Sequence, residues 1–283
     1  MRMWKRQANL IIGKNLYSLD NMNFNFKVRS EDRAKVSEAK FEVYNLSPST
    51  RAGIQKNDPI ILTAGYKGDV GGIFVGAVAD FVHDYGDLDI ITKITAIDSM
   101  DAWLGTDINK TYSEGTYAAD IIDDLLTIFG VEVAMVKLAE NKYYPGCRVC
   151  RGKLKDILTE IVCRDCKSRF LIRHGQIIIN PPEEGITTGY LLTPETGLLK
   201  ASSSGENQTV NNDTSAVTKT RSQQADADGI IKRECLLNPR IGVADLLDIR
   251  DKTMNGIYLV KAIEHEGSRT GPWKSSLEVL PAA

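Results

Sequence analysis

The first hundred residues alternate between apolar and polar positions. Over residues 23–29, Phe24, Phe26 and Val28 fall on one side and Asn25, Lys27 and Arg29 on the other. That is the period of a half-buried strand. Residues 38–46 alternate again through Phe41 and Val43 and reach Leu46 after a local bend. Residues 59–63, 72–82 and 88–97 supply three further strands. Short strands at spacings of roughly 10–20 residues, with Gly or Asp turns between them, predict an antiparallel barrel or sandwich over residues 1–103.

The period changes after residue 104. Thr116 is placed to cap a helix that runs through Ile128, with Gly130 as its stop. Its apolar stripe reads Tyr117, Ile121, Leu125 and Ile128 or Phe129, widened by Ala118 and Ile122. A strand over 131–135 and a short strand over 144–151 precede a second helix over 153–163. Leu154, Ile157, Leu158 and Ile161 share one face of that helix. Residues 170–173 and 176–180 read as a hairpin with His174 and Gly175 at its tip, and Pro181-Pro182-Glu183-Glu184 closes the unit. Residues 202–228 are rich in Ser, Asn, Gln, Asp and Thr, with too few apolar side chains to offset the entropy of ordering. They are expected to be a polar loop. The chain then returns to β over 229–236, 244–249, 256–265 and 273–280. The expected fold is α+β and mostly antiparallel β. Its three units are 1–103, 104–182 and 183–283.

Particular residues carry a resemblance to a known family. FEVYNLSPSTRAGIQKNDPIILTAGY at 41–66 is followed by GIFVGAV at 72–78 and DIITKITAID at 89–98. Near the other end, LLNPRIGVADLLDI at 236–249 precedes GIYLVKAIEH at 256–265. These segments resemble the baseplate hub proteins of contractile phage tails and phage-tail-like bacteriocins. Ala244 departs from the family pattern, which has glycine there, and this loosens the turn argument at that point. The resemblance implies two tail-tube-like β-barrels flanking a small α/β domain. It also implies a structural, non-enzymatic role: a homotrimeric ring that adapts the hexameric tail tube to the trimeric central spike. Implied partners are the chain itself, the tail tube protein, the central spike protein, and the tape measure and baseplate wedge proteins. The implied location is the cytoplasm of the producing bacterium during assembly, then the baseplate of a particle released by lysis.

Composition narrows the partners. With 42% hydrophobic and 25% charged residues the chain is ordinary for a globular protein of 283 residues. A formal charge of -2 offers no electrostatic footprint for sequence-specific nucleic-acid binding or for an anionic membrane. The basic start, MRMWKRQ, is followed by only a short apolar run at Leu10, Ile11 and Ile12, so no secretory signal is expected. No window reaches the roughly 18 apolar residues of a membrane span.

The one sharp chemical motif is Cys147-x-x-Cys150 with Cys163-x-x-Cys166. Two pairs of soft thiolates suggest a four-cysteine zinc site or an iron–sulfur cluster. Geometry opposes the simple version. A helix over 153–163 spans about 16 Å at roughly 1.5 Å per residue and separates the pairs. Residues three apart in a strand also point to opposite faces, so Cys147 and Cys150 converge only if Arg148 and Val149 turn. Three readings stay open: one metal site, reduced thiols, or disulfides formed after lysis. Cys235 reads as a buried thiol. A metal-binding or redox module is therefore the alternative function. A tail-associated cell-wall hydrolase is the third, although neither a Gly-x-Ser-x-Gly elbow nor His-Glu-x-x-His is present. His83 and His265 read as packing or paired residues, and His174 as a turn residue. Gly65, Gly68, Gly71 and Gly72 read as hairpin glycines, and Asp80, Asp84, Asp87 and Asp89 as turn carboxylates. Asp120, Asp123 and Asp124 read as a solvated or inter-subunit helix face.

Overall fold

The computed structural model describes residues 5–32, 37–86, 88–98, 106–130, 132–173, 176–199, 229–252 and 254–282. The expected polar loop at 202–228, the tip residues His174 and Gly175, Asp87, and the boundary at 103 lie outside the described residues.

Seven strands build the first unit: β1 (Arg6–Ile12), β2 (Asn15–Ser18), β3 (Phe24–Glu31), β4 (Glu38–Tyr44), β5 (Pro59–Tyr66), β6 (Asp69–Tyr85) and β7 (Ile90–Ile97). A short helix, α1 (Pro48–Ala52), joins β4 to β5 and is capped by the Ser47 hydroxyl. The ladder order is β2-β1-β5-β6-β7-β4-β3, antiparallel throughout. Inward residues alternate along each strand: Ala8, Leu10 and Ile12 on β1; Phe24, Phe26 and Val28 on β3; Ile60, Leu62 and Ala64 on β5. They meet in one core, which a flat sheet would not allow. β3 and β5 are separated by three strands, or about 19 Å in a flat sheet at ~4.8 Å per strand. Yet Phe26 on β3 and Tyr66 on β5 both contact the Trp273 ring, at 5.6 and 6.5 Å between centroids. The sheet is curled around its core. The glycine-rich stretch is a hairpin, as expected: Tyr66 pairs with Asp69 across Lys67 and Gly68, and Gly68 holds φ +88°.

The last unit contains β15 (Ile186–Leu192), β16 (Ile231–Leu236), β17 (Asp245–Arg250), β18 (Asn255–Gly267) and β19 (Trp273–Pro281). β18 is the hinge of the architecture. Its first half pairs with β17, and its second half pairs along the same edge with β3 of the first unit. Between them lies a bulge at Lys261, where the register with β19 shifts. The two β-rich units are thereby joined in one twelve-stranded sheet, although the middle unit separates them in sequence. At the join, a Cβ on Gly267 would sit 2.2 Å from the Phe26 ring, so the closeness of β3 and β18 depends on that glycine.

The middle unit contains β8 (Asp107–Tyr112), β9 (Thr116–Tyr117), α2 (Ala118–Phe129), β10 (Glu132–Val136), β11 (Tyr143–Tyr144) and β12 (Arg148–Lys153). It continues with α3 (Leu154–Thr159), a π-helical turn over Glu160–Asp165, β13 (Arg169–Arg173) and β14 (Gln176–Asn180). In the sheet β10-β14-β13, strands β13 and β14 are covered on both faces, whereas β10 is exposed along its length. Phe170, Ile177 and Ile179 face the helices, while Leu171 and Ile178 enter the core of the last unit. Three consecutive isoleucines at 177–179 fit a strand covered on both sides.

Several expectations are corrected. Thr116 belongs to β9 and its hydroxyl donates to the Ser113 carbonyl at 2.7 Å; Tyr117 occupies the cap position without a side-chain cap bond. The open Ala119 N–H is satisfied from a distance, by Asn141 Oδ1 at 3.0 Å. The buried stripe of α2 is Ala118, Ile121, Ile122, Leu125, Leu126 and Phe129, with Tyr117 and Ile128 exposed. The second helix starts at Leu154 and extends to Asp165 through the π turn. The expected strand over 144–151 is two pieces, β11 and β12. Strands β1, β2, β8 and β15 were not expected.

Candidate functional site

The structure places the four motif cysteines apart in environment. Cys147 is exposed and precedes β12. Arg148 and Val149 do not turn; they are strand residues paired with Tyr112 and Thr111, and Cys150 behind them points into the middle core. Cys163 is half-buried in the π turn, and Cys166, just past it, is buried in the same core as Cys150. Burial pushes the thiols of Cys150, Cys163 and Cys166 up, so each favours the protonated form. Among the described residues no group of three or more His, Cys, Asp or Glu side chains is arranged to hold a metal ion, and the five cysteines are free. The structure places Cys147 at the surface and Cys150 and Cys166 in the middle core, and does not bring the four thiols to one point. Cys235 is buried in the last unit, its thiol pushed up to about 12 by burial.

The other residues singled out by sequence are engaged locally. His83 Nδ1 lies 3.1 Å from Thr92 Oγ1, and buried His265 Nδ1 lies 2.8 Å from Ser275 Oγ on the neighbouring strand. Asp80 and Asp84 pair with Lys56 and Lys93, each at 2.9 Å, and Asn45 donates to Asp89 at 2.7 Å. Asp124 is not a free surface carboxylate: it accepts from Lys110 and from the Tyr112 hydroxyl at 2.6 Å each, pinning β8 to α2. The hydrogen bonds from Lys110 and Tyr112 hold its carboxyl below the usual range.

The polar groups that organise the whole molecule were not singled out by sequence. They sit where the three units meet. Asp32, one residue past the end of β3, has a buried side chain. Arg169 of the middle unit donates to its Oδ2 at 3.1 Å, and the Lys261 ammonium from the β18 bulge donates to the same oxygen. The Asp32 N–H also donates to the Lys261 carbonyl at 2.6 Å. Arg169 further donates to Asn180 Oδ1 and to the carbonyls of Pro181 and Glu184. One carboxylate thus ties together all three units. A second tie is bidentate: Arg173 Nη1 and Nη2 donate to the two oxygens of Asp245 at 2.7 and 3.2 Å, and the Gly242 N–H donates to Oδ2 at 2.7 Å. Burial raises the Asp245 carboxyl despite that arginine.

Among the described residues, two exposed features bear on assembly. The β6–β7 hairpin ends in exposed Val82, Tyr85 and Leu88, of which Leu88 is 96% exposed. Along its main path the twelve-stranded sheet ends on β2 at one side and β15 at the other, and a branch from β18 through β19 ends on β16. No helix among the described residues is long and apolar enough to cross a membrane.

The fold defines the class first: a mostly antiparallel α+β chain of phage tail protein architecture. The chain is similar over 99% of its length to the 43 kDa tail protein of prophage MuSo2 from Shewanella oneidensis, covering 98% of that protein with a TM-score of 0.69 at 12% identity. It is similar over 98% of its length to a tail protein of Neisseria meningitidis MC58, covering 96% of it with a TM-score of 0.64 at 9% identity. A third neighbour is an E. coli component of the type VI secretion system that is itself structurally similar to the bacteriophage T4 tail proteins gp27 and gp5. There the alignment covers 97% of this chain and 77% of that one, with a TM-score of 0.60 at 9% identity. No family model matches the sequence, and no curated protein matches it.

Proposed function

We propose that this chain is a structural hub of a contractile phage tail or tail-like particle: a trimeric ring adapting the hexameric tail tube to a trimeric central spike. The observation that carries the reading is the end-to-end fold match to tail proteins, 99% of this chain against 98% of the neighbour. A match of that extent leaves little room for an added catalytic domain within these residues. The role is non-enzymatic. Three copies with two β-rich units each offer six positions to the tube and a threefold axis to the spike. The partners are the tube and spike proteins, with tape measure and wedge proteins at the rim. Assembly takes place in the producing bacterium's cytoplasm, and lysis releases the finished particle.

The deciding experiment is a reconstruction of the tube–spike junction of the particle. Three copies of this chain around an open channel are expected. Six copies, one copy or none would overturn the proposal.

A further inference from the structure

The middle unit carries a third exposed feature. Its sheet runs β10-β14-β13, so β10 is an edge strand. It pairs in parallel with β14 on one side and, among the described residues, with no strand on the other. Every residue of β10 is exposed, yet all but Glu132 are apolar, and Val133, Met135 and Val136 are between 39% and 48% exposed. The register makes both faces of the strand apolar, because opposed residues in a ladder share a face. Val133 and Val136 lie beside Ile177 and Ile179, which enter the core under the helices. Met135 lies beside Ile178, which enters the core of the last unit. An apolar pattern on both faces belongs to a strand covered on both sides. β10 thus has the composition of an inner strand in an edge position. The bulge at Ala134 and the strand's shortness blunt the edge, but they leave two valines and a methionine facing water. Ile128, near the end of α2 and just before β10, is exposed as well.

The charges around this edge decide what fits it. Lys137, which follows the strand, is committed: it donates to both carboxylate oxygens of Glu184, at 2.7 and 2.5 Å. Glu140 is held by Lys167 at 2.6 Å. Glu132 at the start of β10, and Asp120 and Asp123 on the exposed side of α2, have no ion-pair partner among the described residues. The uncommitted charge on these two elements is negative.

We propose that the β10 edge docks an extended segment of another protein of the particle, apolar at alternate positions and carrying lysine or arginine, which adds to this sheet as a further strand. Main-chain hydrogen bonds to the open edge supply affinity, and the alternate side chains supply specificity. The added strand covers Val133 and Val136 on one face and Met135 on the other, and its cations meet Glu132. A second copy of this chain is the poorer occupant. Two β10 edges are alike, so pairing them makes a twofold contact, and a threefold ring contains no twofold axis. That last step rests on the hub reading; the edge, its exposure and its charge do not.

The test uses the full chain and two short labelled peptides, one alternating lysine with valine and one alternating glutamate with valine. In fluorescence anisotropy at low salt the lysine peptide should bind at least about tenfold more tightly than the glutamate peptide, and Glu132→Lys should shrink that preference. Val136→Lys, at an exposed site, should keep the wild-type melting temperature and weaken the lysine peptide at least about tenfold. Met135→Lys makes the same test on the other face. Equal binding of the two peptides, or no binding of either, overturns the proposal. Hydrogen exchange locates the contact: the lysine peptide should slow the outward amides of β10. Slowing at β2 or β15 instead overturns it. So does finding the outward β10 amides already slow in the free chain, which would mean that the chain covers this edge itself. In a reconstruction of the tube–spike junction, three copies with β10 bare, or covered by another copy, would overturn this proposal and leave the hub reading standing. Peptide binding at β10 by a chain absent from that junction would overturn the hub reading and leave the edge site standing.

Discussion

Replacing Asp32 by alanine should uncouple the three units more effectively than any surface change. The Asp32 carboxylate is 4% exposed and its partner guanidinium, Arg169, is 3% exposed. Breaking a buried ion pair from one side costs about 3–5 kcal/mol, because the remaining charge stays buried without compensation. Two features of the site move the figure to the lower end. Arg169 keeps three acceptors, Asn180 Oδ1 and the carbonyls of Pro181 and Glu184, so its loss is of counter-charge more than of hydrogen bonds. Lys261 is 26% exposed on its side chain and can turn to water. The expected loss is about 3 kcal/mol, roughly 150-fold in the unfolding equilibrium. Urea denaturation followed by far-UV circular dichroism and by tryptophan fluorescence measures it. A double-mutant cycle with Arg169→Met isolates the pair. The double variant should be more stable than Asp32→Ala alone, since it no longer strands a cation, with a coupling of at least about 1.5 kcal/mol. A loss below about 1 kcal/mol, or a coupling within about 0.5 kcal/mol of zero, would refute the view that this carboxylate holds the junction.

Ala244 adopts φ +70° and is fully buried, so Ala244→Gly relieves about 1–2 kcal/mol of left-handed strain. It also loses about 0.8 kcal/mol of methyl burial and about 0.4–1 kcal/mol through unfolded-chain entropy. The net change should be within about 1 kcal/mol of zero, while Ala244→Val should lose more than about 2 kcal/mol by adding branching and bulk; thermal melts of both variants check this. For the thiols, alkylation of native protein should label Cys147 quickly, with Cys150, Cys166 and Cys235 reacting only on unfolding, and elemental analysis should find no bound zinc or iron. One metal equivalent per chain surviving gel filtration would mean that the four motif thiols rearrange from the positions described.

The strands that sequence revealed are those with one face in a core and the other in water. β3, β4 and β7 alternate cleanly because Phe24, Phe41 and Ile94 point inward while Asn25, Lys40 and Lys93 point outward. β1 alternates as well, through Ala8, Leu10 and Ile12, but a small alanine at one inward position and Ile11 at an outward one mask the period. β8 is polar at its exposed positions, so little in its composition separates it from a loop, while in β15 the exposed run Thr187, Thr188 and Gly189 interrupts any apolar alternation. The Thr116 cap failed because tertiary partners took over the role, with Asn141 supplying the acceptor from 22 residues away. The junction was invisible for the same reason at longer range. Asp32 and Lys261 are 229 residues apart, and no local pattern marks a carboxylate that will be buried by a strand from the far end of the chain. The cysteine pairs show the converse case. Their spacing was conspicuous, yet β12 extends through Arg148 and Val149 and aims only Cys150 inward.

The ends of the twelve-stranded sheet bear on assembly. Among the described residues β2 and β15 each have a strand neighbour on one side only, and an open strand edge is a template for pairing with another chain. The edges differ: β2 is antiparallel to its neighbour and β15 is parallel to its own. Contacts through unlike edges are heterologous, and heterologous contacts generate rings when the rotation closes. On the ring reading, copies associate through these edges, and exposed Leu16 on β2 lies at the contact. Leu16→Lys should leave the monomer's stability within about 0.5 kcal/mol, as expected for an exposed site. The same change should weaken self-association, because a lysine on an edge discourages strand addition. Sedimentation of wild type and variant over a range of concentrations, with the spike protein present to promote assembly, measures this. Equal association by a normally folded Leu16→Lys protein would remove β2 from the ring contact and leave the hairpin tip at Val82, Tyr85 and Leu88 as the surface to test.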